Sequence, residues 1–148
     1  MREGVNLEEV PRDKYYTKTH EWLSIVSGRR VRIGITHYAA HQLGDLTSVE
    51  VKPVGTEVRK GEAFGVIESA KASEYLYSPV SGKIILVNKE VGVVEEGEEA
   101  FVTGELEKIT EDPYGEGWLI EVEASDLEAE IKDLLTPEEY SSYLKSLS

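Results

Sequence analysis

The feature that most constrains this chain is an internal repeat. Val54-Gly55-Thr56-Glu57-Val58-Arg59-Lys60-Gly61-Glu62-Ala63-Phe64 resembles Val91-Gly92-Val93-Val94-Glu95-Glu96-Gly97-Glu98-Glu99-Ala100-Phe101, the second copy being one residue shorter between its first glycine and its valine. In each copy a glycine turn leads to an isolated valine, then to a polar stretch with a second glycine, then to an apolar run of strand character. Two such units predict two similar antiparallel sheets related by a pseudo-twofold axis. Facing sheets bury one common core, which makes a flattened barrel or sandwich of short strands. The 148 residues suffice for one such core with appendages.

The flanking sequence fills in the architecture as mainly β with terminal helices, an α+β chain. Trp22 to Val26 and Arg30 to Ile35 read as two strands about a Ser27-Gly28 turn, with Val31, Ile33 and Ile35 alternating. Thr36 is placed to cap a short helix that Gly44 ends, and Leu46 to Val51 returns to strand residues. Toward the C-terminus, Ser125 and Glu128 suggest a capping box, opening a helix with Leu127, Ile131, Leu134 and Leu135 on one face. A second box, Thr136 and Glu139 with Pro137 at the first helical position, opens another carrying Tyr140, Tyr143, Leu144 and Leu147.

Composition removes several classes of function. With 29 acids against 16 bases the net charge is −13, the wrong sign for gripping phosphates, so no nucleic-acid partner is expected. Such a field favours fast encounter with partners that carry positive clefts. No apolar stretch approaches the ~20 residues of a bilayer span. Met1-Arg2-Glu3-Gly4-Val5-Asn6 lacks an apolar run and carries an early acid, unlike a secretory or mitochondrial leader, so the expected location is a prokaryotic cytoplasm. The chain has no cysteine, hence no thiolate nucleophile and no Cys-type metal site. His37 and His41 lie four apart on the short helix, but no third ligand accompanies them, and no metal is expected.

Lys71 lies between the two copies of the repeat. Strand-like Phe64 to Ile67 and Tyr75 to Tyr77 flank it, which predicts a hairpin with the lysine at or beside the turn. Its neighbours Ser69, Ala70, Ala72 and Ser73 are small and leave its amine accessible.

From Lys14 to Leu147 the sequence resembles the glycine cleavage H-protein family of the lipoyl and biotinyl carrier superfamily. The resemblance rests on Tyr16-Thr17-Lys18-Thr19-His20-Glu21-Trp22-Leu23, Ile33-Gly34-Ile35-Thr36-His37-Tyr38-Ala39, Leu43-Gly44-Asp45, Glu68-Ser69-Ala70-Lys71-Ala72, Ser78-Pro79-Val80-Ser81-Gly82 and Asp112-Pro113-Tyr114-Gly115-Glu116-Gly117-Trp118-Leu119. It implies a hybrid barrel-sandwich over residues 14–124, an N-terminal extension over 1–13 and C-terminal helices packed on the domain over 125–148. It also implies a monomeric carrier rather than an enzyme, with lipoate joined by an amide bond to Lys71. The arm would shuttle the aminomethyl group of glycine between glycine decarboxylase, aminomethyltransferase and dihydrolipoamide dehydrogenase, after attachment by a lipoyl ligase or lipoyltransferase. Glu21 is the candidate contact to the loaded arm.

Three positions depart from the family's pattern: Tyr75 stands where an acid is usual, His37 replaces a frequent Asp, and the 89–111 link is longer and contains the second repeat copy. They leave open an H-like lipoate carrier of another pathway, such as heterodisulfide-reductase-like sulfur oxidation. Biotin carriage shares the fold, but biotinyl lysines usually sit between methionines, whereas Ala70 and Ala72 flank Lys71. A purely structural interaction domain would leave Lys71 unmodified.

Overall fold

The computed structural model describes residues 10–98 and 105–147. Its strands are β1 (Tyr15–Tyr16), β2 (Glu21–Ser27), β3 (Arg30–Ile35), β4 (Leu46–Val51), β5 (Glu57–Val58), β6 (Ala63–Ser69), β7 (Ser73–Tyr77), β8 (Gly82–Val87), β9 (Val93–Glu95) and β10 (Ile120–Ala124). They form a six-stranded sheet, β1-β2-β3-β10-β8-β5, and a four-stranded sheet, β7-β6-β4-β9. The two sheets face each other as a sandwich rather than closing into a barrel. Leu23, Val31, Ile33, Ile84 and Val122 from one sheet and Val49, Val51, Phe64, Ile67 and Leu76 from the other make one core of buried residues. Burying each side chain of this size contributes about 1.5–3 kcal/mol.

The repeat accounts for much of this arrangement. Gly55 and Gly61 in the first copy and Gly92 and Gly97 in the second all take positive φ, at 97°, 87°, 93° and 91°. The strand of the first copy, β5, joins the larger sheet, whereas that of the second, β9, joins the smaller. One expectation needs correction: the sheets are not wholly antiparallel, because β9 runs parallel to β4. In the second copy the deeply buried valine is Val93, one before the position matched to Val58, since the shorter turn shifts the face that meets the core. Ala100 and Phe101 lie outside the described residues.

Four α-helices stand among the described residues: α1 (His37–Leu43), α2 (Glu107–Glu111), α3 (Leu127–Glu130) and α4 (Pro137–Ser146). For α1, Thr36 is the N-cap and Gly44 closes the C-terminus with an N–H to the Ala40 carbonyl, as the residue types predict. For α4 the Thr136–Glu139 capping box forms on both sides, with Pro137 in the first turn. The Ser125–Glu128 box does not form. Asp126 is the N-cap of α3 without a side-chain bond, and the Ser125 N–H donates to the Ser81 carbonyl instead. A 3-10 turn, Ile131–Asp133, follows α3. Leu134 is then extended, and Leu135 exchanges backbone hydrogen bonds with Tyr16, so the edge of the sheet claims the end of the expected helical stripe.

A second, aromatic cluster lies on the outer side of β2, where Tyr16, Trp22, Tyr140 and Leu144 are buried together. The Trp22 indole N–H donates to the Pro113 carbonyl at 2.9 Å. Gly34, opposite Trp22 across β2 and β3, makes room for the ring: a Cβ there would stand 2.7 Å from three indole atoms. The indole is buried and its N–H is bonded, so it cannot swing aside cheaply, and Gly34→Ala should cost about 1–3 kcal/mol by overpacking. Chemical denaturation measures this as a lower midpoint with an unchanged slope.

Candidate functional site

Lys71 stands at the tip of the β6–β7 hairpin, with its side chain exposed. The turn is tied by its own first residue: the Ser69 N–H donates to the Ala72 carbonyl at 2.8 Å, and the Ser69 hydroxyl accepts from the Lys71 and Ala72 N–H groups at 3.2 and 3.1 Å. A local hydroxyl thus holds the backbone of the lysine, as serine does in tight turns. The Ala70 N–H donates to the Asp45 carbonyl at 3.3 Å, which ties the turn to the segment following α1. The methylene stem of Lys71 lies against Gly44, where a Cβ would stand 3.2 Å from Cε. Gly44 has φ +74°, so it serves both the helix stop and the passage of the lysine.

A cleft of about 510 Å³ opens beside this hairpin. One wall is α1, through Tyr38, Ala39, Gln42 and Leu43; the other comes from the hairpin, through Ala72, Tyr75 and Tyr77. His20 and Glu21 also line it. The fold therefore brings Glu21 and the Lys71 hairpin to one cavity, although 50 residues of sequence separate them. Tyr75, 62% exposed, stands on the rim within 6.2 Å of the Tyr77 ring. His37, by contrast, is not among the residues lining the cleft, and its N–H donates to the Tyr114 hydroxyl. A larger cleft of about 750 Å³, lined by Leu86, Lys89, Glu95 and Trp118 among others, takes no residue from α1, β6 or β7.

Glu21 is buried. Its Oε1 accepts from the Thr17 hydroxyl at 2.6 Å and from the Thr19 hydroxyl, and its Oε2 accepts from the Tyr77 N–H at 3.0 Å. Burial pushes the pKa of its carboxyl up, outweighing the hydrogen bonds that pull it down. The acid is thus fixed in place by β2's own approach and by β7.

Beside it, His20 has φ +73°, a conformation that few residues with a Cβ adopt. Its Nδ1 lies 2.8 Å from the Tyr140 hydroxyl, and its ring packs 4.6 Å from that of Tyr38. Sequence reasoning missed this contact, since 120 positions separate the partners and neither residue type announces the pairing. It also missed the cleft, which no single segment encloses. Among the described residues no group of three or more His, Asp or Glu side chains could hold a metal ion, and no helix is long and apolar enough to cross a membrane.

Burial lowers the His20 pKa from 6.5 to about 4. Between these values an unfolded chain takes up a proton on this ring that the folded chain refuses, so acidification through that window removes stability. Glu21 acts with the opposite sign, because its raised pKa lets the folded chain take a proton first. An imidazole NMR titration separates the two: His20 should titrate near pH 4, and a midpoint near 6.5 would contradict its burial.

Comparison with known proteins gives the family. The family model for the glycine cleavage H-protein matches residues 14–147. The chain is 54% identical over 138 residues to a probable glycine cleavage system H protein of Korarchaeum cryptofilum, covering 93% of this chain and 97% of that one. It is 47% identical over 139 residues to the glycine cleavage system H protein of Rubrobacter xylanophilus, covering 94% and 98%. Among solved structures, a glycine cleavage system H protein from Mycobacterium marinum superposes with a TM-score of 0.74 at 36% identity, over 91% of this chain and 98% of that one. On the sandwich, the hairpin and these matches together, the chain belongs to the glycine cleavage H-protein family, a family of lipoyl carriers.

Proposed function

We propose that Lys71 carries lipoate through an amide bond to its Nζ, and that the chain shuttles the aminomethyl group of glycine between glycine decarboxylase, aminomethyltransferase and dihydrolipoamide dehydrogenase. The observation that carries this reading is an exposed primary amine at the tip of a hairpin whose backbone is already held by Ser69, beside a cleft large enough to shelter an arm. The residues present fit the group: Ala70 and Ala72 leave the amine open to a lipoyl ligase or lipoyltransferase, and Gly44 clears the path of the stem. Lipoate attached there supplies thiol–disulfide chemistry through its dithiolane, which is what a cysteine-free chain lacks.

The polypeptide's share is placement. The Ser69 hydroxyl fixes where the lysine leaves the surface, and α1 and the hairpin bound the space into which a flexible arm can return. Glu21 is the group we assign to the cargo's amine. Its Oε1 accepts from two hydroxyls and its Oε2 from the Tyr77 N–H, so Oε2 is the oxygen we assign to an ammonium. A return of the arm into this cleft would hold the amine away from water. The acidic surface, with a net charge of −13, suits brief encounters with several basic partner clefts. The relatives are prokaryotic, which supports action in a prokaryotic cytoplasm.

Glycine decarboxylase and labelled bicarbonate test the cargo. The lipoylated chain should support exchange of label into glycine, and Lys71→Arg should abolish it at equal protein concentration. A lipoylated chain that supports no exchange where an established H protein does would favour carriage for sulfur oxidation, the reading to which Tyr75 on the cleft rim lends weight. In the same assay Glu21→Gln should shorten the lifetime of the loaded form while leaving lipoylation complete by intact mass.

A further inference from the structure

Tyr140 is fully buried on α4, its ring stacked on Tyr16 at 4.7 Å between centroids and 7° between planes. Its ring therefore has a structural role, but its hydroxyl has a separate geometry. The Oη lies 2.8 Å from His20 Nδ1 and 2.7 Å from Thr36 Oγ1. The phenol oxygen thus joins His20 and Thr36 in one buried hydrogen-bonded chain. Thr36 is also the N-cap of α1, accepting from the Ala39 N–H, and its own N–H donates to the His20 carbonyl at 3.0 Å. At the other end of α1, Gly44 touches the stem of Lys71. Seven residues of helix, about 10 Å at 1.5 Å per residue, thus run from the Tyr140 hydroxyl to the lysine and form a wall of the cleft throughout.

We infer that the Tyr140 hydroxyl is a positioning group for the arm cleft: by holding His20 and the first turn of α1 to the C-terminal helix, it sets the wall against which the loaded arm rests. This rests on the carrier reading above and adds to it a residue that does not line the cleft. The hydroxyl ties the first turn of α4 to two neighbouring segments that are themselves bonded through the Thr36 N–H and the His20 carbonyl: the turn before β2 and the start of α1. The positive φ of His20 needs such an anchor, since a residue held in a sparsely populated conformation persists only where its surroundings over-determine it. The hydroxyl of Thr36, deprived of Tyr140, would lose its buried hydrogen-bond partner and with it part of the reason for its rotamer.

Tyr140→Phe keeps the stacked ring and removes only the hydroxyl; Thr36→Ser keeps the bond and the cap, and serves as the conservative control. Amide hydrogen exchange on the unmodified proteins reads the wall without the cofactor. In Tyr140→Phe, exchange at Ala39, Ala40 and Leu43 should quicken about tenfold, as for the loss of one buried hydrogen bond, with the amides of β3 and β10 unchanged. Thr36→Ser should exchange as the parent does. A second reading uses chains loaded with the aminomethyl group. Attack by water breaks the C–S and C–N bonds and yields formaldehyde, ammonia and the free thiol, with no oxidant or reductant needed. Formaldehyde release should be at least about fivefold faster from Tyr140→Phe, because small misplacements of a sheltering wall have large effects on a bound group, while lipoylation by intact mass stays complete. Parental rates in both measurements would overturn the inference, and so would a uniform rise in exchange across both sheets, which marks lost stability alone. If the parent chain loads no aminomethyl group, the carrier reading fails, and the exchange at α1 still decides the anchor.

Discussion

The cleft depends on one buried carboxylate. Successive residues of β2 point to opposite sides of its sheet: Leu23 enters the core between the sheets, and Trp22 enters the aromatic cluster outside. Glu21 shares the inner side with Leu23, at the end of the strand where the sandwich opens. An acid at such a place is costly unless donors meet it, and here Thr17 and Thr19 supply hydroxyls while the Tyr77 N–H reaches across from the other sheet. That last bond ties β2 to β7 and so sets the separation of the sheets along the edge where the arm cavity lies. The hairpin that presents Lys71 ends in β7, so the site of attachment and the wall of the cavity are referred to the same bond.

Around this tie the remaining parts are local solutions to separate problems. Ser69 holds the turn, Gly44 lets α1 stop and the lysine pass, and the Thr136–Glu139 box starts the helix that brings Tyr140 into place. The chemistry of carriage asks little else of the polypeptide. What matters is that an amine is exposed on a rigid support and that a cavity of suitable size lies within reach of what is attached to it. The ion cluster on the larger sheet, in which buried Glu121 meets the more exposed Arg30 and Arg32 at 2.6 and 2.7 Å, lies on β3 and β10 and lines no part of that cavity.

The parts of this arrangement that are legible in the sequence are those whose causes are short-range. The repeat glycines mark turns because only such residues adopt positive φ cheaply, and the alternation of Val31, Ile33 and Ile35 defines β3 because strand periodicity is two. The Thr136–Glu139 box was readable for the same reason. The Ser125–Glu128 box has an equally good local pattern, yet Ser81 takes the backbone of Ser125, and Tyr16 takes that of Leu135. Those competitors are 44 and 119 positions away, beyond the reach of any window. The parallel pairing of β9 with β4 escaped for a like reason, since pairing direction is a property of topology. For the site, the small residues about Lys71 made the lysine's exposure predictable, and the family resemblance singled out Glu21. The joining of His20, Thr36 and Tyr140 was not visible, because it exists only where three distant segments meet.

We assign the lipoyl group to Lys71 and to no other lysine. Peptide mass spectrometry on the protein purified from cells able to make lipoate tests this assignment most directly. The expected result is the mass of one lipoyl group on the peptide containing Ser69-Ala70-Lys71-Ala72, with fragment ions placing it on Lys71. An unmodified hairpin peptide from such cells, or a biotinyl mass at that lysine, would contradict it.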